Sequence, residues 1–332
     1  MIEQQVHSRN LVAWAADKPD VCVLSGDLTG STEIARFRDT YPDRFFSMGM
    51  AEQNMLSWAG GMAREGMVPF LHTFAVFLVR RPYDQLAMSV CYPNLPVKLI
   101  GFLPGIMTPG GVTHQAIEDV SLMRGLPNMT VLETGDATDI ESVLDVAYAV
   151  DGPVYVRMLR GAVPRLFSTP MELDRVRRVR EGADITVFSS GICTEEVIRA
   201  CEVLQRNGIS ATHAHVTTLK PFADPAVVDM ARAASRLVVT VENHNVIGGL
   251  GTAVAERMAE AAVGTPLLRI GIDDQFAHGA SAPYLKDKYG ISARRIVERV
   301  AATLGATIHV DEDELAAVDV SVSIGSEQLE AL

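Results

Sequence analysis

Val21-Cys22-Val23-Leu24-Ser25, followed at once by Gly26-Asp27-Leu28-Thr29-Gly30-Ser31, decides the fold class. The first five residues are an almost unbroken apolar run, which reads as a short strand buried on both faces. The glycine turn leads into a helix at residues 32–38, completing a βα unit, and in open α/β sheets ligands meet the chain at such turns. The alternation repeats outward from there. An amphipathic helix precedes the unit at residues 6–16. Strands follow at 45–48, 67–74, 97–101, 130–133 and 154–158, with helical stretches from 52, at 81–92 and at 138–150. Strands alternating with helices predict a mostly parallel sheet covered on both faces.

From Gly161 to about Gly182 the periodicity fails. Prolines and the basic run Arg175-Val176-Arg177-Arg178-Val179-Arg180 read as a solvated crossing linker. A second α/β unit begins at Asp184-Ile185-Thr186-Val187-Phe188 and closes with a helix near 293–304. The expected organisation is two consecutive α/β domains, 1–165 and 184–308, joined by a linker at 166–183. An acidic tail, 309–332, opens with Asp311-Glu312-Asp313-Glu314.

Composition narrows the function. The 332 residues are 48% hydrophobic and 21% charged, as in ordinary globular proteins. A net charge of −12 argues against nucleic acid or an anionic membrane as the partner. Met1-Ile2-Glu3-Gln4-Gln5 is polar and acidic, unlike a secretory leader, and no apolar run approaches the roughly 20 residues of a membrane helix. A cytoplasmic location is expected. Cys22, Cys91, Cys193 and Cys201 form no Cys-x-x-Cys pair, and neither a disulfide framework nor a zinc site is expected.

One carboxylate stands out. In Gly49-Met50-Ala51-Glu52-Gln53-Asn54-Met55-Leu56, Glu52 lies among apolar and small residues, and the next ionisable side chain is Arg64. The segment reads as a helix packed on all sides. A carboxylate there is costly to ionise unless something basic meets it, so Glu52 is a candidate for proton chemistry. A helix-start glutamate serving the first turn explains it equally well.

Six motifs in order give the chain a resemblance to the C-terminal half of transketolases and deoxyxylulose-phosphate synthases. They are Ser25-Gly26-Asp27-Leu28-Thr29-Gly30-Ser31, Gly49-Met50-Ala51-Glu52-Gln53-Asn54, Thr73-Phe74-x-x-Phe77, Gly111-Val112-Thr113-His114-Gln115, Tyr155-Val156-Arg157 and Val241-Glu242-Asn243-His244. The resemblance implies a thiamine-diphosphate enzyme whose first domain binds the aminopyrimidine ring. On it, Glu52 hydrogen-bonds a ring nitrogen and promotes the imino tautomer, while Phe74 and Phe77 form the ring pocket. Asp27 lies near the thiazolium, although turn capping also accounts for it. His114 meets the substrate carbonyl or alkoxide. Arg157 and Ser31 match positions that hold an acceptor phosphate, but Arg157 could equally pair Asp151 or Glu133.

The Gly-Asp-Gly…Asn motif by which such enzymes hold the diphosphate and a divalent metal is not in the sequence. The resemblance therefore implies a separate partner subunit carrying the diphosphate and Mg (or another divalent cation), in an α2β2 heterotetramer. No metal ligand is assigned to this chain. Gly110 stands where the family has an aspartate that reads a sugar hydroxyl, Phe102 where it has a phosphate-binding histidine, and Gln4 where it has an arginine. These departures point to an acceptor other than an ordinary aldose phosphate. Ketol transfer is the expected reaction. Acyl transfer from a 2-oxo acid such as pyruvate and a non-catalytic scaffolding subunit are the alternatives, and dehydrogenase beta subunits rank behind because their loop carries His-Ser. In the second domain, His213 and His215 share one strand face and read as packing rather than a metal site. Gly248-Gly249-Leu250-Gly251 looks like a phosphate loop but reads as a turn.

Overall fold

A computed structural model describes residues 1–318 and 320. The first half runs β1 (Ile2–Gln4), α1 (Val6–Trp14), β2 (Val21–Ser25), α2 (Ala35–Thr40), β3 (Phe45–Ser47), α3 (Glu52–Arg64), β4 (Val68–Phe74), α4 (Ala75–Arg80) and α5 (Tyr83–Gln85). After a π-helical turn at Leu86–Cys91 come β5 (Lys98–Phe102), α6 (Asp119–Gly125), β6 (Thr130–Glu133), α7 (Ala137–Ala149) and β7 (Val154–Met158). The second half runs β8 (Ala162–Pro164), β9 (Arg177–Arg180), β10 (Ile185–Ser190), α8 (Cys193–Arg206), β11 (Ala211–Val216), β12 (Thr218–Lys220), α9 (Pro225–Ala233), β13 (Leu237–Asn245), α10 (Leu250–Glu260), β14 (Leu267–Ile272), α11 (Ala282–Lys288), α12 (Ala293–Thr303) and α13 (Glu312–Ala316).

Two mostly parallel sheets result. The first has strand order β12-β6-β7-β5-β4-β2-β3, antiparallel only at β12, and the second has order β14-β13-β10-β11-β9, antiparallel only at β9. The apolar run 21–25 is unbroken because it feeds two cores. Cys22 and Leu24 pack into one and Val21 and Val23 into the other, on opposite faces of the sheet. Parallel strands all end on one side, so Ser25, Phe74, Phe102 and Met158 deliver the following loops to a common edge.

Two expectations are corrected, and the tail gains a detail. The basic run is not a solvated linker: Arg177–Arg180 forms β9, the edge of the second sheet. Its guanidiniums are tied down, Arg177 to Asp139 and Arg180 to Glu202, each at 3.1 Å. Helix α3 is not packed on all sides in this chain, because Gln53, Asn54, Ser57 and Trp58 are exposed while Glu52, Met55, Leu56 and Ala59 are buried. The acidic tail begins as α13, which buries Leu315 against the second core. Residues 319 and 321–332 of that tail lie outside the described residues.

The two halves interlock. Strand β12 leaves the second half to pair β6 of the first sheet. Behind it lies a buried ionic seam, with Arg157 bonded to Asp119 (2.8 Å), Glu133 (2.5 Å) and the Asn243 carbonyl (2.9 Å). Tyr155 donates to Asp119 at 2.6 Å. His215 of β11 meets Asp139 of α7 at 2.8 Å, so the carboxylate beside this histidine comes from the other half of the chain. No described helix is long and apolar enough to cross a membrane.

Candidate active site

The site is built at the end of β4. Phe74 closes the strand, and Phe77 and Arg81 follow at one-turn intervals along α4 and its C-terminal cap. The two phenyl rings stack with centroids 5.8 Å apart and planes 26° from parallel. Residues four apart share a helix face, and the Arg81 guanidinium accordingly lies over the Phe77 ring, 4.1 Å from its centroid. From there Nη1 donates to Glu52 Oε1 at 2.7 Å. Glu52, at the first position of α3, is only 2% exposed, so a nearly buried carboxylate is met by an arginine from a neighbouring helix.

His114 completes the cluster. Its ring meets Phe77 (5.4 Å, 68°) and Phe74 (6.3 Å, 62°) at steep angles. Thr113 Oγ1 lies 2.8 Å from His114 Nδ1. The loop that carries it is clamped by Arg80, which bonds the Val112 and Gln115 carbonyls at 3.1 and 3.0 Å and pairs with the Glu118 carboxylate. The second domain grips the same loop, where Gln115 donates to the Thr108 and His278 carbonyls. Gly110 is required by close approach: a β-carbon there would stand 2.9 Å from His114 Cγ. Gly110→Asp is therefore expected to drive the imidazole out of its place beside Phe77. The ring-proton NMR shifts of His114, unchanged from the parent, would refute this.

Asp27 sits exposed just past β2 with φ +62°, a left-handed conformation that aspartate tolerates better than most residues. Its carboxylate caps nothing among the described residues. Ser31 lies in the following turn, and its carbonyl accepts from Arg160 Nη1 at 2.7 Å.

Two assignments are corrected. Arg157 does not reach any open surface: it is fully buried, and three partners from three segments consume its donors. The exposed cation beside Ser31 is Arg160, which lies beyond the end of β7 rather than within it. Phe102 does not line a pocket either. It is fully buried, against His7 (5.4 Å) and His72 (6.2 Å).

The glycine loop before α10 is closed to anions by the protein itself. Glu242 Oε2 accepts from the Leu250 amide at 2.7 Å and Oε1 from the Gly251 amide at 2.9 Å, filling the helix N-terminus. A β-carbon at Gly249 would lie 1.9 Å from that carboxylate. Burial pushes the Glu242 carboxyl up to about 7. His213 bonds Ser189 at 2.7 Å and His215 bonds Thr194 at 2.6 Å, and no group of three metal-ligating side chains occurs among the described residues.

Sequence reading missed Arg80, Arg81 and Arg160. The i,i+4 spacing of Phe77 and Arg81 was a usable signal for one of them. Arg160 was marked by its place in the loop just past a buried strand. Nothing local announced Arg80, whose partners lie more than 30 residues away.

Comparison with known proteins agrees with this architecture. The transketolase pyrimidine-binding domain model matches residues 4–165, and the transketolase C-terminal domain model matches 174–296. A transketolase family protein of Sinorhizobium fredii is 42% identical over 86% of this chain and 84% of its own length. The 6-deoxy-6-sulfo-D-fructose transketolase subunit of a Clostridium species is 40% identical over 86% of this chain and 89% of its own. A 1-deoxy-D-xylulose-5-phosphate synthase of Thermomicrobium roseum is 34% identical over 91% of this chain, which spans only 48% of that protein. Among solved structures, a split-gene transketolase described as an inactive beta4 tetramer superposes with TM-score 0.83 and 38% identity, covering 91% of this chain and 98% of that one. With both domains matched in order, the chain belongs to the transketolase family, a pyrimidine-binding domain followed by a transketolase C-terminal domain.

Proposed function

We propose that this chain is one subunit of a two-component, thiamine-diphosphate-dependent transketolase that moves a two-carbon ketol unit from a ketose to an aldehyde. The observation that carries the reading is the cluster of Glu52, Phe77 and His114. A nearly buried carboxylate, an aromatic face and an imidazole are joined in one run of contacts, Glu52 to Arg81, Arg81 to Phe77 and Phe77 to His114. The residues fit an aminopyrimidine, because the planar, hydrogen-bond-donating Arg81 guanidinium already lies against the same carboxylate and the same ring.

When bound, thiamine diphosphate supplies the carbon nucleophile and electron sink of the reaction. Glu52 holds a proton at the pyrimidine ring nitrogen, and Phe77, backed by Phe74, carries the ring face. His114 donates to the substrate oxygen on which negative charge develops. Asp27 stands at the mouth of the same strand edge. Arg160, with Ser31, holds the anionic end of the sugar. The diphosphate and its divalent cation fall to a partner subunit. Support for the partner comes from a relative named as a transketolase subunit, from the split-gene structure, and from the half-length match to a deoxyxylulose-phosphate synthase.

The preferred sugar is one other than an ordinary aldose phosphate. Gly110 brings no charge to the site and Phe102 is buried away from it, leaving Arg160 as the exposed cation beside Ser31. One guanidinium matches a monoanionic end group, a sulfonate for example, better than a dianionic phosphate. The relative named for a sulfo-sugar supports this choice.

Calorimetric titration of thiamine diphosphate and Mg into the chain, alone and mixed with a diphosphate-binding subunit, tests the proposal. Tight binding only in the mixture is expected, and tight binding by the chain alone would overturn the split site. In the mixture, Glu52→Ala is expected to lower turnover by about 10²-fold or more, the scale of a lost acid–base group. Unchanged turnover would favour a scaffolding role.

A further inference from the structure

We propose that Arg81 is the resident occupant of the ring seat between Glu52 and Phe77, and that an aminopyrimidine enters only when its guanidinium swings out. This rests on the cofactor reading above and adds a residue that the reading does not use.

A flat ring bound there needs a face to stack on and a carboxylate to donate to. Arg81 already takes both, with Cζ 4.1 Å over Phe77 and Nη1 2.7 Å from Glu52. The rest of the Phe77 ring is not free to receive a second planar group. Phe74 stacks with it, centroids 5.8 Å apart, and His114 meets it at a steep 68° with centroids 5.4 Å apart. Guanidinium and pyrimidine therefore compete for one place.

The contacts holding Arg81 suit a temporary occupant. Its side chain is 46% exposed, and its guanidinium bonds no group but Glu52 among the described residues. Neighbouring Arg80 is different, being fixed by two carbonyls and the Glu118 carboxylate. Arg81 also gives the seat a stable resting state. Without it, a carboxylate 2% exposed would lose its cationic partner, and a buried polar group without a partner is costly. A ligand that must displace a resident group binds with its affinity reduced by the fraction of time the seat is empty.

The probe is 4-amino-5-hydroxymethyl-2-methylpyrimidine, used at a pH where it is neutral so that removing a cation does not by itself attract it. Its binding to the full chain is followed by ligand-observed NMR for the parent, Arg81→Ala, Arg81→Lys and Glu52→Ala. If the seat is filled roughly nine-tenths of the time, Arg81→Ala binds the probe about ten-fold more tightly than the parent. Arg81→Lys falls between, because an ammonium can pair with Glu52 but cannot lie flat on Phe77. Millimolar guanidinium chloride weakens binding to Arg81→Ala by refilling the vacated place. If the parent binds and Arg81→Ala binds equally or more weakly, Arg81 is a bystander or a ligand, and the occupant proposal fails while the cofactor reading stands. If no variant binds, or Glu52→Ala binds as the parent does, the ring seat itself is misassigned and both fall.

Discussion

Arg157→Met is expected to destabilise the chain by about 3–5 kcal/mol, the cost of removing one partner from a buried ionic cluster. Arg157 is fully buried, and methionine fills similar apolar volume while supplying none of the five donors. Asp119 and Glu133 would then lie buried without their cation, and the Asn243 carbonyl would lose its donor. Burial already pushes the Glu133 carboxyl up, with Arg157 working against it. Burial and the charge of Asp119 together hold the Tyr155 phenol well above its ordinary range. In the variant Glu133, already pushed up by burial and now without Arg157 to oppose it, would take up a proton to escape its charge, so the loss should shrink towards low pH. Urea unfolding of parent and variant at neutral and mildly acidic pH measures both effects. A difference below about 1 kcal/mol at neutral pH would mean that the seam rearranges around the loss, contrary to the rigidity expected of a packed core.

Acid should unfold the protein steeply through histidine. His7, His72, His213 and His244 are all buried, and burial holds each below its ordinary range, His72 and His213 at about 3 and His244 at about 4. Their unfolded values lie near 6.5. The stability they contribute is thus complete above about 6.5 and is lost as pH falls towards the folded values, because only the unfolded chain takes up the protons. Three carboxyls act in the opposite sense. Burial raises Glu133, Asp136 and Glu242, so their contribution is full below the ordinary carboxyl range and declines as pH rises through the folded values. Near pH 5 the four unfolded histidines are almost fully protonated, and against at most three carboxyls they leave a net uptake of about one proton or more on unfolding. Stability should therefore fall by roughly 1–4 kcal/mol for each pH unit between about 5.5 and 5. Unfolding free energies that are flat or rising as pH drops over that interval would contradict this account.

Much of the fold was legible because it rests on local periodicity. The apolar run 21–25 sits where an unbroken strand must, between two cores, and the alternation that follows gives the parallel sheet. The basic run 175–180 misled because its charges were read without their partners. Asp139, Glu202 and Asp224 lie between 22 and 49 residues away along the chain and turn that stretch into an edge strand. The same blindness to distance misplaced Arg157. Within Val154–Met158 every residue is buried, and an arginine in a central parallel strand belongs to the core. Asp119, 38 positions earlier, is the group that makes it tolerable there. Glu52, Phe74, Phe77 and His114 were nameable one motif at a time, but their convergence depends on β4 and the loop after β5 ending on one edge.

The crossing of β12 bears on how such a chain can be divided. Cutting it between its halves would strip the first sheet of an edge strand, baring the hydrogen-bonding groups of Thr130–Glu133, and would leave Arg157 without the Asn243 carbonyl. A bare edge of that kind invites aggregation. A workable gene fission or chimera therefore keeps both halves together as one inheritable module, and any graft from a relative must carry both sheets together with β12.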